Sequence, residues 1–93
     1  MSSVWSVYVI ETEGGRFYTG VTTDLNQRFR QHAAQIKGGA KFFRSDPPSL
    51  VLFVHDCQSR SHALRLEARI KSFSRPEKEA LVFRRPAAFL REF

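Results

Sequence analysis

The sequence predicts an α+β fold in the order β-β-α-β-α-α, and three observations carry that reading. Two short β-branched stretches flank Glu13-Gly14-Gly15-Arg16, which is the signature of a β-hairpin. Two later segments repeat apolar residues at helical spacing behind capping residues. Between those segments lies Leu50-Val51-Leu52-Phe53-Val54-His55, a nearly continuous apolar run of strand length.

The hairpin strands are expected at 5–12 and 16–21. Tyr8 lies in the first and Tyr18 in the second. Side chains alternate along a strand, so the loop length decides whether the two phenols share a face. A two-residue Gly14-Gly15 loop puts them on opposite faces. The three-residue loop Glu13-Gly14-Gly15 pairs Tyr8 with Gly20 and Tyr18 with Ile10, and puts both on one face. Thr22-Thr23-Asp24 then supplies N-cap chemistry for a helix whose apolar face is Leu25, Phe29, Ala33 and Ile36. Arg28 and His32 fall on one edge of that face. Gly38-Gly39 is expected to end the helix. Residues 40–49, basic and aromatic and then Pro-Pro, read as a loop with one of Phe42 and Phe43 buried and the basic residues free.

The run at 50–55 suits a central strand buried on both faces. A second helix begins at Ser59 or Ser61 and runs to about Phe73, with Ala63, Leu66, Ile70 and Phe73 as its stripe. Ser74-Arg75-Pro76-Glu77 is a capping box with an early proline and opens a third helix to about Phe83. The tail, 84–93, is weakly patterned. On this reading 1–93 is one domain with its core at about 5–83.

Composition narrows the function. Of the 93 residues, 15 are Lys or Arg and 9 are Asp or Glu, a formal charge of +6. A domain this basic points to a polyanion such as nucleic acid. The charge is clustered: Arg28, Arg30, Lys37, Lys41 and Arg44 occur without an intervening acid. Cys57 is the only cysteine, so no intramolecular disulfide is expected and a reducing compartment is implied. The cysteine and histidine spacing offers no structural zinc site. No signal-peptide core or bilayer-length apolar run is present, so a cytoplasmic protein is expected. Glu67 projects among apolar neighbours on the second helix. A carboxylate there needs a cation, either Arg60 or Lys71 at helical reach or a metal ion.

These residues resemble the GIY-YIG endonuclease superfamily, and in particular its small single-domain bacterial members. Ser6-Val7-Tyr8 stands for the first motif and Tyr18-Thr19-Gly20 for the second. The helix signature runs from Asp24 to His32, and the loop Gly39–Arg44 and the stretch Ala63–Lys71 follow in register. The likeness spans about Trp5 to Val82. It implies a small three-stranded antiparallel sheet flanked by helices and a divalent-metal-dependent DNA nuclease, using Mg2+ or Mn2+. It also implies a site made of Tyr8 as base or water activator, Tyr18 as second tyrosine, Arg28 against the scissile phosphate, His32, and Glu67 as metal ligand. Arg30, Lys37, Lys41, Arg44 and Lys71 are the expected nucleic-acid contacts. The substrate class it suggests is branched, nicked or single-stranded DNA in repair or processing, with little intrinsic sequence specificity and a protein partner to confer it. Ser6 replaces the motif glycine, Val7 and Thr19 replace its isoleucines, and Phe43 stands where a polar residue is usual. The alternative reading is a non-catalytic nucleic-acid-binding adaptor.

Overall fold

A computed structural model describes residues 4–93. Strands β1 (Trp5–Thr12) and β2 (Phe17–Thr22) form the hairpin, followed by helix α1 (Leu25–His32) and a 3-10 turn at Lys41–Arg44. Strand β3 (Pro48–Cys57), helices α2 (Arg60–Ser72) and α3 (Arg75–Arg84), and a one-turn helix α4 (Ala87–Leu90) complete the chain. The sheet is antiparallel throughout, in the order β2-β1-β3.

The hairpin has the three-residue loop. Tyr8 pairs with Gly20 and Ile10 with Tyr18. Thr12 N–H donates to Arg16 O at 2.8 Å and Gly15 N–H to Thr12 O at 3.0 Å, and Gly15 takes φ 83°. This is a turn closed by a left-handed residue, the geometry for which glycine is suited.

Three expectations are corrected. The central strand is β1, whose Val7, Tyr8, Val9 and Ile10 are all buried, whereas β3 lies at an edge with Leu50 and Val51 exposed. The apolar run of β3 does not alternate because its register against β1 shifts twice. Val9 faces Phe53 but Ile10 faces Val51, which leaves Leu52 as the extra residue of a bulge. A bulge resets the inward-outward alternation, and a continuous apolar run results without burial on both faces.

The second correction is α1, which stops at His32 and does not reach Ile36. Ala34 adopts φ 60°, its N–H donates to Gln31 O, and Gln35 N–H donates to Arg30 O. These two bonds form a Schellman closure. The left-handed residue is an alanine, so no glycine announces the end. The third is the tail, which is part of the fold. Leu90 and Phe93 are buried, and Gln58 N–H donates to Phe93 O at 2.9 Å.

The caps form as expected, with Asp24, Ser59 and the Ser74–Glu77 box each holding a helix start. The sheet separates two apolar clusters. The larger joins Val7, Val9 and Phe53 to Leu66, Ile70, Leu81 and Phe93 under α2, α3 and the tail. The smaller joins Tyr8, Ile10 and Phe43 to Tyr18, Leu25 and Phe29 under α1 and the 3-10 turn. Among the described residues no helix is long and apolar enough to cross a membrane.

Candidate active site

The smaller cluster contains the polar groups that the sequence singles out. Tyr8 is 1% exposed and His32 3% exposed. The phenol oxygen of Tyr8 lies 2.8 Å from His32 Nε2. The phenol reaches it by leaning over β2 at Gly20, where a Cβ would collide with the phenol oxygen and Cζ. Any side chain at position 20 would displace the ring.

The direction of this hydrogen bond follows from the other side of the imidazole. The backbone N–H of Ala40 donates to His32 Nδ1 at 3.2 Å. Nδ1 therefore carries no proton, and in the neutral ring the proton is on Nε2. His32 donates to Tyr8, and the phenol's own proton is left for a different acceptor. Desolvation by burial, reinforced by the nearby Arg28 charge, lowers the His32 pKa to about 4, so the ring is neutral at pH 7.

Tyr8 is pushed the other way. Burial raises its pKa to about 12, and the neighbouring Tyr18 adds to the rise. The Arg28 guanidinium opposes it, and the Glu67 carboxylate adds a smaller upward push. Tyr18, Arg28 and Glu67 are thus all close enough to weigh on the charge of this one phenol. The ring centroids of Tyr8 and Tyr18 are 6.3 Å apart, and Tyr18 stacks edge-on to His32 at 5.1 Å. Of the five residues expected to form a site, Tyr8, Tyr18 and His32 meet in one cluster with Arg28 beside the phenol, while Glu67 on α2 acts on the phenol only through its charge.

Arg28 is half-buried and oriented by acceptors on its own side of the site. Its guanidinium donates to Gln31 Oε1 at 2.9 Å and to Gly38 O at 2.7 Å. Glu67, with its side chain 19% exposed, is 3.3 Å from Lys71 Nζ. Of the two cations within helical reach, Lys71 is the one that pairs, while Arg60 lies over the Trp5 ring at 5.5 Å. No group of three or more metal-ligating side chains exists among the described residues. The candidate donors are one carboxylate and two phenols. That suits a hard cation which keeps most of its water, as magnesium does, and does not suit a closed all-protein cage.

The expected nucleic-acid contacts divide. Arg30, Lys37, Lys41 and Arg44 are exposed, and Lys37 and Arg44 line the same concavity beside His32. Lys71 is exposed but paired to Glu67. Phe43 is buried, and Phe42 is half-buried under the Arg16 guanidinium at 4.3 Å.

Sequence reasoning missed Asp46. This buried carboxylate accepts from Thr12 Oγ1 at 2.6 Å, Gly14 N–H at 2.8 Å and Arg16 Nε at 2.8 Å. These bonds hold its pKa below the usual carboxylate range. They pin the hairpin turn to the segment that carries Phe42 and Phe43, whose rings pack on Tyr18 at 5.3 Å and 4.7 Å. Its partners lie thirty or more residues away in sequence, so no local motif signals it. The Ala40 N–H that fixes the imidazole was missed for the same reason, since a backbone group has no sequence signature.

Known proteins resemble this chain along most of its length. The profile of the GIY-YIG catalytic domain family matches residues 4–80. The UPF0213 protein SG0387 of Sodalis glossinidius is 44% identical over 81 residues, which cover 87% of this chain and 74% of that one. The UPF0213 protein YE0453 of Yersinia enterocolitica is 39% identical over 88 residues, covering 95% and 89%. The solution NMR structure of the UPF0213 protein BH0048 from Bacillus halodurans superposes with a TM-score of 0.55 at 38% identity, covering 85% of this chain and 82% of that one.

Proposed function

The chain belongs to the GIY-YIG domain family and groups with the bacterial UPF0213 proteins, and from that premise we propose that it is a divalent-metal-dependent nuclease that hydrolyses phosphodiester bonds in DNA. The observation that supports the reading is the buried Tyr8–His32 pair, with Tyr18 and Arg28 beside it. A buried polar cluster with strongly displaced pKa values at the edge of a basic surface is a reactive-site signature. We assign the protein to DNA repair or processing in the cytoplasm, with a protein partner for specificity.

Each residue then has a role that its chemistry allows. Arg28 presents a planar fork of donors to the scissile phosphate, and its bonds to Gln31 and Gly38 hold that fork in place before substrate arrives. Glu67 holds the magnesium or manganese ion, which when bound supplies positive charge to the phosphate and the leaving oxygen. Tyr8 directs its free proton or its oxygen toward the attacking water. His32 donates from Nε2 and stabilises negative charge on the phenol oxygen. Tyr18 closes the site against Phe42 and Phe43 and limits water around the reacting group. Arg30, Lys37, Lys41 and Arg44 contact the DNA backbone.

The adaptor reading keeps one specific support: Glu67 already has Lys71 as a partner. Nicking of supercoiled plasmid and of labelled forked DNA, in magnesium and in EDTA, separates the two. The nuclease reading expects magnesium-dependent nicking that Tyr8→Phe and Glu67→Gln both remove. Binding without nicking in either magnesium or manganese establishes the adaptor.

A further inference from the structure

The early end of α1 creates a second feature beside the site. The chain leaves the helix through Ala34 at φ 60°, turns again at Gly38 with φ 109°, and returns so that Ala40 N–H meets His32. A non-glycine residue held in the left-handed region is destabilising by about 1 kcal/mol or more, and such strain tends to gather at functional sites. The detour encloses an open concavity of about 460 Å3. Its floor is His32 and Phe43, its walls include Gln31 and Gln35, and Lys37 and Arg44 stand at its rim.

The lining has a definite chemical preference. His32 and Phe43 lie 4.4 Å apart by ring centroid and form an aromatic base. Gln31 Oε1 is occupied by Arg28, so its amide NH2 is the group left to offer. Gln35 is exposed and offers both a donor and an acceptor. Lys37 and Arg44 are exposed, and neither is in an ion pair among the described residues. The two rings are tilted by 43° and almost fully buried, so the floor offers only their edges, and it is the amides at the sides and the cations at the rim that suit the hydrogen-bonding edge of a heterocycle flanked by phosphates. The volume suits a single small ligand and not a double helix. The pocket neighbours the phenol across the His32 ring, which lines the one and bonds the other, and Arg28 bonds Gly38 at the pocket's edge. A base stacked inside a duplex cannot enter such a concavity, whereas an unpaired base can.

We propose that the pocket between α1 and the 3-10 turn binds one unpaired nucleotide of the substrate strand, beside the phosphate to be cut. This rests on the nuclease reading and narrows its substrate to DNA with an unpaired base at the cleavage point.

The test reads the pocket directly. Protein labelled with 15N is titrated, in EDTA, with trithymidylate, with an abasic trinucleotide that keeps the phosphates and lacks the bases, and with a short duplex. The expected result is that trithymidylate shifts the side-chain amides of Gln31 and Gln35 and the backbone amides of 33–40, and binds roughly fivefold or more tighter than the abasic strand. Gln35→Trp, which fills the pocket from an exposed turn position, removes that difference, and Gln35→Ala weakens trithymidylate selectively. Equal affinity and equal shifts for the abasic strand mean phosphate binding only and overturn the assignment, as do shifts confined to another surface. A protein that nicks DNA in magnesium yet shows no base-dependent shift retains the nuclease reading and loses the pocket. Failure both to nick and to bind any of the three ligands overturns both.

Discussion

Replacing Tyr8 by Phe tests the centre of the site with one oxygen atom. The ring remains, so the packing of a side chain only 1% exposed is preserved. What disappears is the acceptor 2.8 Å from His32 Nε2. The imidazole cannot adapt by moving its proton to Nδ1, because Ala40 N–H already points there. The variant therefore leaves a buried N–H without a partner. An unsatisfied buried donor is destabilising by about 1–3 kcal/mol, and a domain of this size shifts by about 4–8 °C per kcal/mol, so Tyr8→Phe should melt roughly 4–24 °C lower. Tyr18→Phe is the control. No buried Tyr18 oxygen is left unsatisfied, and its ring contacts with His32 and Phe43 survive the change. Its stability should stay within about 0.5 kcal/mol of wild type. Thermal melts in EDTA, followed by plasmid-nicking rates in magnesium, supply both readouts. Nicking by Tyr8→Phe should fall by on the order of 10²–10³. A Tyr8→Phe protein that melts with wild type refutes the hydrogen-bond argument, and one that nicks within tenfold of wild type refutes the role given to the phenol.

Three further outcomes follow from the same geometry. The His32 pKa is lowered to about 4 from 6.5, so the unfolded chain takes up its proton first. The associated stability is full above pH 6.5 and is lost as pH falls toward 4, by up to about 3 kcal/mol. Urea melts across that range should show the loss in wild type and much less of it in His32→Gln. Gly20→Ala drives a methyl into the Tyr8 phenol, so it should lower both melting temperature and nicking. In a Tyr8→Phe background, where the oxygen is gone, the added destabilisation should shrink, as a double-mutant cycle can measure. Glu67→Gln removes an ion pair whose lysine side chain is 56% exposed. Such pairs contribute about 0.3–0.5 kcal/mol, so the melting temperature should move by no more than about 4 °C while magnesium-dependent nicking is lost. Persistent nicking removes Glu67 from the metal assignment.

What the sequence disclosed was local, or periodic, or carried by motif. The hairpin register followed only from requiring both phenols to share a face, which selects the three-residue loop, but the hairpin itself was legible from neighbours. The caps at Asp24, Ser59 and Ser74 were legible for the same reason. The edge position of β3 was not, because a bulge produces the same continuous apolar run as burial on two faces. Nor was the end of α1, because Ala34 takes a conformation for which its side chain gives no signal. The candidate site divides along the same line. Its reactive side chains were legible as types at a spacing. The Asp46 latch and the Ala40 N–H bring together groups that no window of sequence contains.

The Ala40 contact carries more chemical consequence than its size suggests. With Nδ1 accepting from the backbone, His32 has no lone pair to offer Tyr8 and cannot take the phenol's proton. A relay in which the histidine serves as base for the tyrosine is excluded by the direction of a single hydrogen bond. What His32 does instead is donate, and donation favours the anionic phenol. Burial is the largest influence against that anion, with neighbouring Tyr18 and Glu67 adding to it, and the pKa is raised to about 12. Bringing it to neutrality takes about five pKa units, or roughly 7 kcal/mol. The Nε2–H bond and the Arg28 guanidinium already act in that direction without achieving it. Any role for Tyr8 as a base therefore needs further positive charge close to the phenol, which on the nuclease reading a cation held by Glu67 would supply. Without that charge Tyr8 remains protonated and can act only as a donor. On that reading the chemical role of Tyr8 depends on what Glu67 binds, and a cation there would have to displace the lysine pair at Glu67.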